Sequence, residues 1–427
     1  MTSSSVPTTL LRRALPKGVR DLCAILHDRG HGAWAVGGCV RDVLMGRTAS
    51  DWDVATTALP AEVQRIFRRT IPTGIDHGTV TVLLGGEKYE VTTLRGEAGY
   101  ADGRRPDAVY FVGAIDEDLG RRDFTVNAIA YHPIDDTIVD PWHGLVDLER
   151  RTIRAVRDPM ERFAEDGLRV LRAARFVATL GFDLDPATEA AIRPNLATFS
   201  QVSAERVRDE WVKALRAARP SRAFRIMRRT GMLEVAAPLV ASLDEPTFER
   251  TMARVDGAPD EPVFARLAAL VWDRRERRDE LDAWLRSFRW SNREREAALL
   301  ALRHAEAEAR ADLPSTRRFL REVGAGDAFW VLSVLEADSA TRDAEAEGRV
   351  RALRERCASI LDRGDPLDLK ALRVTGADVM SASGRGPGRY VGAVLERLLD
   401  EVLDDPARND RERLLARARD LATGEGA

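Results

Sequence analysis

Between residues 18 and 29 the apolar positions Val19, Leu22, Ile25 and Leu26 recur at helical spacing, and Gly30, free to adopt a positive φ, ends the pattern. The apolar run 33–36 reads as a strand, Gly37 and Gly38 as a tight turn, residues 40–45 as a helix, and a polar turn then leads to Asp51. The order is strand, turn, helix, strand. Residues 79–84 and 88–94 are rich in Val, Thr and Leu and are split by Gly85, Gly86 and Glu87, which predicts a hairpin; 108–112 predicts a further strand. Beyond residue 150 the period becomes helical: one helix through Phe163, Leu168, Leu171 and Phe176 up to Gly181, others over 203–218 and 223–232, and more as far as Leu421. The pattern predicts an α+β chain with a mixed-sheet head over 1–149, a helical neck over 150–230 and an all-α body and tail over 231–427.

Composition narrows the class. Of the 427 residues 44% are apolar and 32% charged, and no apolar run approaches the ~20 residues that a bilayer requires, so a membrane-spanning or disordered chain is excluded. The net charge of -3 is unevenly spread: -5 over 1–149, +8 over 150–229 and -6 over 230–427. A basic segment between acidic flanks suits a polyanion, although an Arg-rich surface helix pair explains the charge equally well. Cys23, Cys39 and Cys357 are too few and too scattered for a disulfide framework or a Cys-rich zinc site, and 1–17 has no apolar core of a secretion signal. A cytoplasmic, reducing location is expected.

Asp51 and Asp53 flank Trp52. On a strand, side chains two apart share a face, so the pair aims two carboxylates at one point and suits one or two Mg2+ ions. Gly37-Gly38 lets the backbone approach a phosphate, and the helix after it offers its N-terminal N–H groups to the anion. An Asp-x-Asp by itself reads better as a solvated turn; the ordered strand, Gly-Gly, helix and strand reverse that balance. Glu90 on the second hairpin strand is the candidate third acid, or else an exposed strand residue.

The spacing Gly-Gly, twelve residues, Asp-x-Asp resembles the DNA polymerase β-like nucleotidyltransferase superfamily. The resemblance sharpens with AVGGCVRDVLMGRTASDWDVAT (35–56), HGTVTV (77–82), YEVTTLR (89–95), RRDFTVNAIAY (121–131) and RFAEDGLRVLRAARF (162–176), which occur in order as they do in the class II tRNA nucleotidyltransferases. That group holds CCA-adding enzymes and bacterial poly(A) polymerases. The match is specific over about 18–230; LRVTGADVM (372–380) and the closing helices are also similar.

The resemblance implies that Asp51 and Asp53 bind catalytic metals, that Gly38 and Arg41 hold the triphosphate, and that Arg122 contacts nucleotide with Asp123 and Asn127 near the ribose. It implies that Glu165, Asp166 and Arg169 bind the incoming nucleotide, with Asp166 and Arg169 acting as a protein template for its base. A carboxylate accepts from N4 of cytosine or N6 of adenine while the guanidinium donates to the neighbouring ring nitrogen; uracil and guanine present an oxygen to the carboxylate instead. CTP and ATP are thus the expected substrates. Arg172 and Arg175 match further nucleotide-contacting arginines, and with Asp166 and Arg169 they are expected as a stripe three apart on one helix; taken alone that stripe reads as a solvated salt-bridge ladder.

The loop GYADGRRPD (99–107) resembles the one that CCA-adding enzymes retain and CC-only enzymes lack, which favours addition of CCA to a tRNA 3' end. Poly(A) polymerase ranks second because no basic extension is evident, and an A-adding enzyme with a CC-adding partner stays open. A small-molecule nucleotidyltransferase would not need the templating segment or the helical remainder. An RNA-gripping protein with a silent head would be marked by loss of Asp51 or Asp53, and both are present. The neck and body are expected to hold the tRNA acceptor and T arms by shape and phosphate, without an obligate protein partner. The histidines cannot supply an appended metallophosphohydrolase domain, and a metal on His77, His132 and His143 has no supporting motif. Two departures from the family stand out: Trp52 between the acids, and Gly167 where Ala or Pro is usual, expected to soften the helix by about 1 kcal/mol.

Overall fold

The computed structural model describes residues 5–75, 78–98 and 108–424. The chain divides into two compact units, 1–241 and 242–427. The first holds eleven described strands, most of them with β-branched or aromatic residues: β1 (Ala33–Val36), β2 (Asp53–Thr56), β3 (Thr70–Gly74), β4 (Thr79–Leu84), β5 (Glu87–Thr93), β6 (Arg95–Ala98), β7 (Ala108–Phe111), β8 (Ala130–His132), β9 (Thr137–Val139), and β10 (Thr152–Ile153) paired with β11 (Asp183–Leu184). Seven of them form one sheet in the order β3-β4-β5-β2-β1-β8-β9, while β6 and β7 pair as a separate ribbon. The expected hairpin is β4–β5. Sequence reading passes over β3, β6, β8, β9, β10 and β11, two- to five-residue strands with no run long enough to show alternation.

Within the large sheet only β2 and β5 run parallel, and this pairing sets Asp53 opposite Glu90. On its other side β2 pairs antiparallel with β1, which sets Asp53 opposite Val36, the last residue before the glycine turn. Three separate stretches of chain are thereby tied to one point of the backbone ladder. Helices Ser5–Ala14 and Lys17–Asp28 close one face of the head over Leu22, Leu26, Val54, Val80 and Val91, all fully buried. Trp52 belongs to that same core at 6% exposure, so this departure from the family serves packing behind the acids.

The neck helix differs from expectation. Helix Pro159–Glu165 stops, Asp166 adopts an extended backbone (φ -144°, ψ 104°), and a second helix, Leu168–Leu180, begins after Gly167. Asp166 is therefore a cap and not a member of the stripe; its Oδ1 accepts from the Leu168 N–H at 3.0 Å. Gly167 does not soften a helix interior either. A Cβ there would lie 2.5 Å from the carbonyl carbon and oxygen of Thr198, so glycine is dictated by close approach of another backbone.

The second unit contains helices and 3-10 turns and no strand among the described residues. Arg254 is buried between Asp273 and Asp338, 2.7 Å from each, while Val379, Val394, Leu398 and Val402 form the fully buried core of its last helices.

Candidate active site

Asp51 lies just before β2 and not on it, but the alternation holds: Asp51 and Asp53 are exposed and Trp52 between them is buried. Glu90 shares with both a cavity of about 750 Å³. No described residue donates a hydrogen bond to these three carboxylates or pairs with them. Asp53 is pushed up to about 6, first by burial and then by Glu90, with Asp51 adding and Arg122 opposing. Its cleft side stays open to solvent, so burial acts on it only in part; the repulsion between acids is what a cation would relieve. Among the described residues no three His, Cys, Asp or Glu side chains enclose a metal by themselves. Mg2+ takes one or two carboxylates and completes its shell with water and phosphate oxygens, so this donor set fits it when a triphosphate lies alongside.

The glycine turn stands against that centre. Gly37 has φ +84°, and a Cβ on it would lie 2.9 Å from Arg122 Nη1 and 4.0 Å from Asp53 Oδ2. The backbone angle requires glycine, and a Cβ there would in addition push the Arg122 guanidinium aside. Gly37→Ala is expected to cost about 1–3 kcal/mol and to lower kcat/KM at least tenfold by displacing Arg122, as checked by thermal melting and steady-state kinetics.

Gly38 and Arg41 open a second cleft of about 490 Å³, whose walls include Asp53, Arg122, Asp123, Asn127, Asp166 and Arg169. A connected set of hydrogen bonds crosses it. Arg41 Nη1 donates to Asn127 Oδ1 at 2.6 Å, and Asn127 Nδ2 to Asp123 Oδ1 at 3.0 Å. Arg172 gives Nε and Nη2 to Asp123 Oδ2, and Arg175 Nε reaches Glu210 at 2.6 Å. Burial would raise Asp123, but Arg172 and Asn127 outweigh it and hold this carboxyl well below the usual range. Burial pushes Arg175 down to about 10 against the pull of Glu210. The guanidinium of Arg175 stacks 3.5 Å from the Phe176 ring centroid, and those of Arg41 and Arg172 lie at 5.5 and 5.4 Å.

Asp166 and Arg169 both line this cleft. Arg169 is held by the carbonyls of Arg162 and Arg121 at 3.0 and 3.1 Å and by Glu165 at 2.6 Å. Glu165, expected to bind nucleotide, lies outside the cleft wall and pairs with Arg162 and Arg169, so it braces Arg169 and does not face the cleft. Of the sequence candidates, Asp51, Asp53 and Glu90 gather on one side; Gly38, Arg41, Arg122, Asp123, Asn127, Asp166, Arg169, Arg172 and Arg175 gather on the other, and Asp53 belongs to both. The loop 99–107 and His77 lie outside the described residues. His132 instead packs edge-on to Trp34.

Three residues escape sequence reasoning. Asp118, 1% exposed, salt-bridges Arg121 and Arg122, and the spacings of three and four could have revealed it. Glu210, 2% exposed, gathers Arg172, Arg175 and Lys213, and Arg206 donates to Asp166 at 2.8 Å. Both reach across 35 residues or more, which no local pattern records.

A glycine turn beside strand acids, joined to an arginine-walled cleft on a helical neck, defines the nucleotidyltransferase class. The sequence matches the Poly A polymerase head domain over 33–154 and the family described as "Probable RNA and SrmB- binding site of polymerase A" over 181–243. The CCA-adding enzyme of Lactiplantibacillus plantarum is 35% identical over 418 residues, 95% of this chain and 96% of that one. That of Lactobacillus johnsonii is 51% identical over 209 residues, and the match spans about half of its length, 52%. The crystal structure of Bacillus stearothermophilus CCA-adding enzyme in complex with CTP superposes with a TM-score of 0.78 at 32% identity, covering 96% of this chain and 98% of that one. The chain belongs to the CCA-adding enzyme family.

Proposed function

We propose that this chain adds C, C and A to the 3' end of tRNA from CTP and ATP, releasing pyrophosphate. The observation that carries the reading is that Asp53 stands in the wall of both cavities, so the unneutralised acids and the arginine-walled cleft meet at one carboxylate. The names of the relatives and the CTP complex of the Bacillus enzyme support it. Asp51 and Asp53, with Glu90 beside them, would hold Mg2+, which supplies charge neutralisation at the α-phosphate and a more acidic 3'-hydroxyl. Transfer joins the ribose O3' to the α-phosphorus and breaks its bond to the pyrophosphate oxygen.

The chain's own groups do the rest. Gly38 and Arg41 take the triphosphate, Arg122 faces it from beside Asp53, and Asp123, Asn127, Arg172 and Arg175 keep the cleft rigid around the sugar and base. Asp166 accepts from the exocyclic amine and Arg169 donates to the ring nitrogen, which admits cytosine and adenine. The head (1–149), neck (150–230) and body with tail (231–427) divide this work, the last two holding the acceptor and T arms. A cytoplasmic location accords with this substrate, and among the described residues no helix is long and apolar enough to cross a membrane.

The test is product length. With Mg2+ and a tRNA ending before CCA, labelled CTP and then ATP are expected to enter, and growth to stop after three nucleotides. Long A tracts on unrelated RNA would make it a poly(A) polymerase, the reading favoured by the name of the head family; addition only to tRNA ending in CC would make it an A-adding enzyme. Arg169→Ala is expected to damage choice among triphosphates by about tenfold or more while tRNA affinity holds; equal losses in both assays count against a template role.

A further inference from the structure

Helix Ala204–Leu215 contributes none of the sequence motifs above, yet it grips the base-reading segment twice. Arg206 and Glu210 stand four residues apart on it, on one face, with Glu210 on Arg172 and Arg175 and Arg206 on Asp166. The two oxygens of Asp166 are held differently. Oδ1 accepts from the Leu168 N–H at 3.0 Å, and Oδ2 from Arg206 Nη2 at 2.8 Å. Each carboxylate oxygen can accept twice, so this grip leaves an acceptor position free for a base amine while fixing where it points. Without Arg206 a single backbone donor would remain, and the carboxylate could turn.

Arg206 is tied to its surroundings through a single carboxylate. Among the described residues Asp166 is its only hydrogen-bonding partner, and its Nη1 is buried without one. A guanidinium kept only to fasten two helices is normally satisfied more fully. Arg206 lines the arginine-walled cleft, so its place is set by that cleft.

We infer that Arg206 is a positioning residue for nucleobase selection: it locks Asp166 as an oriented acceptor and thereby enforces the exclusion of bases carrying an oxygen at that position. The inference rests on the template role proposed for Asp166. Removing Arg206 therefore relaxes the choice between CTP and UTP through Asp166 and leaves tRNA binding alone.

The experiment is a double-mutant cycle on the full chain with wild type, Arg206→Ala, Asp166→Ala and the pair. It reads kcat/KM for addition of a single CMP or UMP to tRNA lacking CCA, with tRNA affinity by filter binding and folding by thermal melting. Arg206→Ala is expected to lower the CTP-to-UTP ratio about tenfold or more, and the same change in the Asp166→Ala background to alter it by less than about twofold. Arg206→Lys keeps charge and stem but not the planar fork, and is expected to fall between. An unchanged ratio in folded Arg206→Ala, or an undiminished effect without Asp166, overturns the inference. Should the alanine protein not fold, a wild-type ratio in Arg206→Lys overturns it equally. Failure of the wild type itself to prefer CTP would count against the template reading and not against Arg206 in particular.

Discussion

Asp53→Asn is expected to abolish nucleotide addition, with kcat reduced about 10³-fold or more, the loss of several kcal/mol of charge stabilisation at the α-phosphate. The same variant is expected to melt at a higher temperature than wild type at pH 7.5 without metal. Asp53 is raised from 3.8 to about 6, so below 3.8 the carboxyl is protonated whether folded or not, and the contribution of its proton to stability is intact. As pH rises through about 6 the folded state must ionise a carboxyl whose charge is opposed by burial and then by Glu90 and Asp51, and that contribution is lost. Asparagine carries no such charge, so its advantage shrinks as pH falls from 7.5 toward 4.5. Melting curves in chelator at both pH values check this. Wild-type transfer by the variant, or a lower melting temperature at pH 7.5, would contradict the assignment of Asp53 to a cation.

Glu210→Ala is expected to be the most damaging single change to the stability of the first unit. Arg175 is 8% exposed and Glu210 2%, so the substitution strands a buried guanidinium, typically at a cost of about 3–5 kcal/mol. Arg172 loses its second carboxylate at the same time, and through Asp123 and Asn127 the disturbance reaches Arg41. The KM for CTP should therefore rise along with the loss of stability. Glu210→Gln preserves shape and should cost less. Thermal melting and initial-rate kinetics separate the two effects; a melting temperature within about 2 °C of wild type in the alanine variant would show that the arginines find other partners.

Much of the centre is legible in the sequence because chemistry and local geometry coincide in short stretches. Gly37-Gly38 needs only a turn signal, and Asp51 and Asp53 need only strand alternation, which survives although Asp51 precedes the strand. The pairing of Glu90 with Asp53 leaves no comparable local signal, because it depends on a parallel register between strands more than thirty residues apart. The break at Asp166 is hidden by an unbroken helical periodicity from Phe163 to Phe176, and the backbone of Thr198 that crowds the neighbouring Gly167 is a contact with no trace in local sequence. Glu210 and Arg206 are invisible for the same reason, since charged residues on an amphipathic helix read as a solvated face until the opposite wall is known.

That contact at Gly167 has an evolutionary corollary. The room that a side-chain carbon at this position would need is taken by the peptide joining Thr198 to Phe199, so neither stretch can change alone. A lineage that acquires a methyl group at 167 has to shift the short helix Leu196–Ser200 outward in the same step, and the two stretches are expected to vary as a matched pair among homologues. Chimaeras that exchange one stretch without the other should jam at this junction, however similar the rest of their sequences.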